Sequence, residues 1–210
     1  MKRYFVECVG TFFLMLTIIF SGEPWAIGLL FAAMLYIGHT LARGYYNPAI
    51  AATLLLNRTM NARDFVGCCI AQTLGATVAA AYFFLISGDY FVLELPAGVM
   101  FADVALREIL FTFVLCSITL AATQYAEMRH HAGLLIGLTL ASIATIGGLY
   151  NPALFLGTMI CNLTELHIPS AENILTFVFA PLLGALLAAH FFAYCNAQRN
   201  NSFAYKNSSL

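Results

Sequence analysis

Apolar residues run almost unbroken along this chain, and the few polar ones cut it into lengths. Runs bounded by charged or turn residues fall at 4–21, 25–42, 65–87, 105–124, 132–148 and 174–195. Each is close to the roughly 20 helical residues that cross a hydrocarbon core of about 30 Å. Runs three and five hold no charged residue, and the sixth holds only His190. Six membrane-spanning helices are therefore predicted. The first run contains Glu7 and leads through Ser21-Gly22-Glu23-Pro24 straight into the second, so it is expected to be a retained span and not a removable signal.

Two further apolar stretches are too short to cross. One follows Asn47-Pro48-Ala49 and ends before Asn57-Arg58; the other follows Asn151-Pro152-Ala153. At 1.5 Å per residue each reaches only the middle of a bilayer. They are predicted as re-entrant half-helices over 48–56 and 152–161. Backbone at that depth must be buried in protein or line water. Asn suits the N-cap, and Pro suits the first helical position, where its missing N–H costs nothing.

The order of features occurs twice. Glu7 early in run one matches Glu108 early in run four. The first Asn-Pro-Ala follows run two and the second follows run five. Gln72-Thr73-Leu74-Gly75-Ala76 matches Pro181-Leu182-Leu183-Gly184-Ala185. Three matches in register indicate duplication. Each half has an odd number of spans, so the second is inserted upside down, and such repeats place a site at the midplane between them. The expected organisation is a first repeat over 1–103, an inverted repeat over 104–195, and a cytoplasmic tail over 196–210, polar and mobile from Asn200 onward. The fold class is an all-α membrane protein: six spans plus two half-helices.

Composition agrees. Hydrophobic residues make up 61% of the 210 and charged residues 9%, with a mean hydropathy of +0.85. A soluble domain has about a quarter charged residues, and disorder requires low hydrophobicity. Nine basic against ten acidic residues leave no field for binding nucleic acid. Lys2, Arg3, Arg58, Arg63, Arg129, Arg199 and Lys206 fall on one side if the spans alternate. Glu23, Asp89, Glu94, Asp103, Glu165 and Glu172 fall on the other, with Arg107 the exception. Positive-inside sorting then puts both termini in the cytoplasm, and the short loops suggest a bacterial inner membrane. Six scattered cysteines and the Glu127/His130/His131 loop have no metal-ligand spacing. No convergent catalytic set is present, so an enzyme is not expected.

Half-helices entering from opposite faces would bring two positive dipole ends together. Asn47 and Asn151 would each offer an amide N–H to a passing water, while the dipoles repel cations and the fixed donors interrupt a proton wire. With these residues in place the chain resembles the aquaporin/glycerol-facilitator family over nearly its whole length. The resemblance implies a homotetramer with one pore per subunit and no cofactor. It makes Glu7 and Glu108 acceptors that support the half-helix loops. Carbonyls of Gly44, Tyr45 and Tyr46 would face the inner vestibule, and those of Gly147, Leu149 and Tyr150 the outer, with Arg43 at the cytoplasmic mouth.

The chain also departs from the family pattern. The family usually has Arg directly after its second Asn-Pro-Ala; here Leu154 stands there, followed by Phe155. The other filter positions fall on Gly148, on Thr139 or Leu140, and on Ala26 or Ile27. A filter without Arg loses a fixed charge and its strongest donor. The expected function is a passive channel for water and other small uncharged solutes, with Leu154 either widening or plugging the filter. The alternative is an ion- or proton-coupled carrier, which inverted repeats also permit.

Overall fold

The structure, a computed structural model, describes every residue except Arg43, 164–167, 209 and 210, and describes the backbone alone for 199–208. Arg43 and Glu165, used above for the inner mouth and the charge sorting, therefore lie outside the described residues, as do the side chains of Arg199 and Lys206. In chain order the helices are α1 (Lys2–Phe20), α2 (Pro24–Leu41), α3 (Pro48–Leu56), α4 (Ala62–Ser87), α5 (Phe101–Gln124), α6 (Ala126–Arg129), α7 (Ala132–Ala144), α8 (Pro152–Asn162), α9 (Ala171–Ile174) and α10 (Ala180–Ser208). A π-helical turn, Leu175–Phe179, joins the last two. The described residues contain no strand.

Local chemistry sets these boundaries. Pro24, Pro48 and Pro152 open α2, α3 and α8 at the first turn. Asn61 caps α4 by accepting from the Asp64 amide at 2.8 Å, and Gly88 ends it in a left-handed conformation. The π turn accommodates Pro181: proline has no N–H, and its ring crowds the carbonyl four residues back, which is that of Phe177 inside the turn.

Five helices, α1, α2, α4, α5 and Ala171–Gln198, are long and apolar enough to cross a membrane. The fifth expected span differs. Its helix, α7, is only 13 residues, about 20 Å at 1.5 Å per residue. Gly147 turns into the left-handed region at φ +78, and the Leu149 and Tyr150 amides leave the helical pattern to bind Glu108. The tail also departs from expectation: α10 continues as helix through Ser208.

Glycine and alanine set the helix contacts. A Cβ on Gly75 of α4 would meet the Cys8 carbonyl of α1. One on Gly184 of α10 would meet the Ile109 carbonyl of α5. Gly28 lies on Ala141 and Gly137 on Ala32, joining α2 to α7. In lipid, helices gain little from hydrophobic burial, so close backbone approach and van der Waals contact carry association. The outside remains apolar, with Phe5, Leu29, Ile70, Leu85 and Leu110 exposed.

Each half-helix leans on the far half of the chain. Thr53 of α3 donates to the Ala185 carbonyl of α10 at 3.3 Å, while Gly157 of α8 sits against Ala76 of α4. The two half-helices also touch one another. This crossed packing holds their N-terminal tips in the interior.

Candidate functional site

Two buried carboxylates shape the chain ahead of the half-helices. Glu7 accepts from the Tyr45 amide at 3.0 Å, the Tyr46 amide at 2.6 Å and the Gln72 side-chain amide at 2.8 Å. Glu108 accepts from the Leu149 amide at 2.6 Å and the Tyr150 amide at 2.8 Å. Both carboxylates are 0% exposed. To present those amides, Tyr46 and Tyr150 adopt φ +56 and +52. A non-glycine residue there costs about 1–3 kcal/mol unless its surroundings hold it. The tyrosine rings provide that hold. Tyr46 donates its hydroxyl to the Met34 carbonyl at 2.7 Å, and Tyr150 to the Ile143 carbonyl at 3.1 Å. A Cβ on Gly10, Gly38 or Gly44 would strike the Tyr46 ring, and one on Gly148 would strike Tyr150.

The asparagines face each other across the centre. Asn47 Oδ1 caps α3 through the Ala49 amide at 2.8 Å, and Asn151 Oδ1 caps α8 through Ala153 at 3.1 Å. Their amino groups cross over. Asn47 Nδ2 donates to the Tyr150 carbonyl at 2.8 Å, and Asn151 Nδ2 to the Tyr46 carbonyl at 2.9 Å. An amide nitrogen carries two hydrogens, so each asparagine has one left after this bond. Pro48, Ala49, Pro152 and Ala153 are buried behind the tips. Both helix N-termini, each with a partial positive charge, thus meet at one point.

A cavity of about 170 Å³ opens on that point. Asn47 and Asn151 line it with Ile27, Leu140, Gly148 and Leu154. Among the alternative filter positions, Ala26 and Thr139 do not line it, and Thr139 spends its hydroxyl on the Leu135 carbonyl. Gly147 and Leu149 border the cavity too, as do Leu14, Ile18, Gly22, Phe31 and Ala144. Of these, Leu14, Ile18, Phe31 and Ala144 were not singled out in the sequence. The available signal was helical spacing: Ile27 with Phe31, Leu140 with Ala144, and Leu14 with Ile18 are each one turn apart. Among the described residues, no charged side chain lines it.

On the other side of the tips, Gly44 and Tyr45 line a second cavity of about 270 Å³ with His39, Thr123, Arg129 and His130. His39, near the end of α2, is exposed there. The carbonyls of Tyr46 and Tyr150 are engaged by the asparagines, unlike a free carbonyl ladder. Gln72, as the third donor to Glu7, has no counterpart in the second half, where Pro181 occupies the matching sequence position.

Comparison with known proteins places the chain in context. The family model described as Major intrinsic protein matches residues 20–192. Glycerol uptake facilitator protein-like 6 of Lactiplantibacillus plantarum is 30% identical, over 90% of this chain and 95% of its own length. Aquaporin Z of Brucella melitensis is 29% identical, over 81% of this chain and 80% of its own. Among solved structures, the aquaglyceroporin from Plasmodium falciparum superposes with a TM-score of 0.74 at 17% identity, covering 91% of this chain and 94% of that one.

Proposed function

The chain belongs to the major intrinsic protein family and is a passive membrane channel for water or small solutes; we propose that its conducting path runs through the asparagine-lined centre and discriminates little among small uncharged molecules. The observation that carries this is the lining of the midplane cavity: two carboxamides in an otherwise apolar, uncharged wall. A water or hydroxyl passing the tips accepts from the remaining amide hydrogens of Asn47 and Asn151. A cation faces two dipole ends at the same place.

In this reading Ile27, Leu140, Gly148 and Leu154 form the outer constriction. Three hydrocarbon side chains and one glycine offer no charge and no side-chain hydrogen bond. The constriction then selects by size and by dehydration, and carbonyls of Gly44, Tyr45, Gly147 and Leu149 compensate solutes on either side. Glu7 and Glu108 serve as loop supports and not as a proton relay, since every one of their oxygens already accepts from the loops. A coupled carrier is disfavoured because no ionisable side chain among the described residues lines the centre. Two inverted halves over 1–103 and 104–195, a homotetramer with one pore per subunit, and an inner-membrane setting with both termini cytoplasmic complete the proposal.

Stopped-flow light scattering on proteoliposomes tests it. Water, then neutral solutes of increasing size, should cross down their gradients with a low activation energy and without an ion gradient. Solute flux that requires an ion gradient would refute the reading.

A further inference from the structure

Arg107 belongs to no part of the site described above. It precedes Glu108 on α5, and its counterpart before Glu7 is Val6. Glu7 holds its loop with valine at that position; the cation near Glu7, Arg3, stands one turn earlier and pairs with Asp64 at 3.0 Å. The Arg107 guanidinium is fixed in place. Its Nη1 donates to the Ile146 carbonyl at 3.3 Å, and its Nε to the Asp103 carbonyl at 3.3 Å.

Those bonds set the charge against the segment that walls the midplane cavity. Arg107 borders a compartment of about 270 Å³ that is also bounded by Gly147, Gly148 and Leu149. The same three residues bound the cavity that holds the asparagines. Two of them have no side chain, so the partition there is backbone alone. Glu94 borders Arg107's compartment too; it is exposed, whereas Arg107 is half-buried, so solvent screens the carboxylate more than the guanidinium. Among the described residues that border the two compartments, Arg107 is the one cation.

We propose that Arg107 is the fixed positive charge of the outer constriction, acting on permeating ions across the Gly147–Gly148 backbone where position 154 offers only leucine. The inference rests on the channel reading above. Arg107 adds a whole charge to the two half-helix dipoles, repelling hydronium and metal cations while leaving neutral solutes unaffected. Because it stands behind the wall, it takes no width from the passage.

The test uses the full chain in proteoliposomes, with water permeability read by light scattering and proton and potassium leak by internal dyes. Arg107→Gln should raise both leaks on the order of tenfold and leave water permeability within about twofold. Arg107→Lys, which keeps the charge but not the fork of hydrogen bonds, should restore the low leak. An unchanged leak in Arg107→Gln overturns the inference. So does a leak raised equally in both variants, which would mark a distorted loop and not a lost charge. If neither variant folds, the wild-type chain still decides. Its proton permeability at fixed pH, relative to water, should rise as salt shortens the Debye length from about 30 Å to about 3 Å; a salt-independent ratio overturns the proposal. Absence of any water flux in the wild type overturns the channel reading itself.

Discussion

Removing the Glu108 side chain tests the whole midplane. Glu108→Ala leaves the Leu149 and Tyr150 amides, now bound at 2.6 and 2.8 Å, without an acceptor in a buried site. A buried donor left unpaired costs about 1–3 kcal/mol, and bonds to a charged group are the stronger kind, so two amount to about 3–6 kcal/mol. Part returns when Tyr150 relaxes from its left-handed backbone, which stores about 1–3 kcal/mol. The net expected loss is about 2–4 kcal/mol, against a total stability on the order of 5–15 kcal/mol. Glu7→Ala should be worse, because Gln72 loses its acceptor as well. Glu108→Gln keeps one carbonyl acceptor and should fall between Glu108→Ala and wild type. Unfolding in mixed micelles at increasing denaturing-detergent fraction measures the order, and liposome water flux reads the centre. A Glu108→Ala protein that unfolds at the wild-type detergent fraction and conducts water normally would refute the reasoning.

Other expectations follow from the same geometry. Leu154→Arg places a charge and a bulky donor in the constriction, and should cut polyol permeability at least tenfold while water continues to pass; equal selectivity by light scattering would remove Leu154 from the filter. Asn151→Asp keeps the cap on Ala153 but loses the donor to the Tyr46 carbonyl, and its negative charge between the helix tips should raise cation leak, measurable with a potassium-sensitive dye. Gly75→Val must push α4 away from the Cys8 carbonyl, an overpacking cost of about 1–3 kcal/mol that a lowered Tm in detergent would report.

The span pattern and both half-helices were legible in the sequence because apolar run length and the Asn-Pro pair are local signals. Both half-helices were located within one residue of α3 and α8. The seventh helix was overestimated because Thr145-Ile146-Gly147-Gly148 is apolar enough to extend a hydropathy run, while the force that unwinds it comes from Glu108, far away on α5. The choice between Ala26 and Ile27, or Thr139 and Leu140, depended on helix rotation, which composition does not fix. The exchange between Asn47 and Tyr150 joins residues 103 positions apart, so no spacing rule reveals it. The tyrosines looked like sources of acceptor carbonyls for the vestibules; that their rings brace a left-handed turn against glycines became apparent only in three dimensions.

The crossed bonds from Asn47 to the Tyr150 carbonyl and from Asn151 to the Tyr46 carbonyl also bear on how the protein is made. Neither asparagine finds its acceptor within its own half of the polypeptide. While the ribosome has delivered only the first hundred residues, α3 lacks the α10 surface it leans on, and Tyr46 has no amide to receive. The centre therefore cannot close until both Asn151 and α10 have been made. Insertion of the earlier helices must hold an unfinished polar seam in lipid until then.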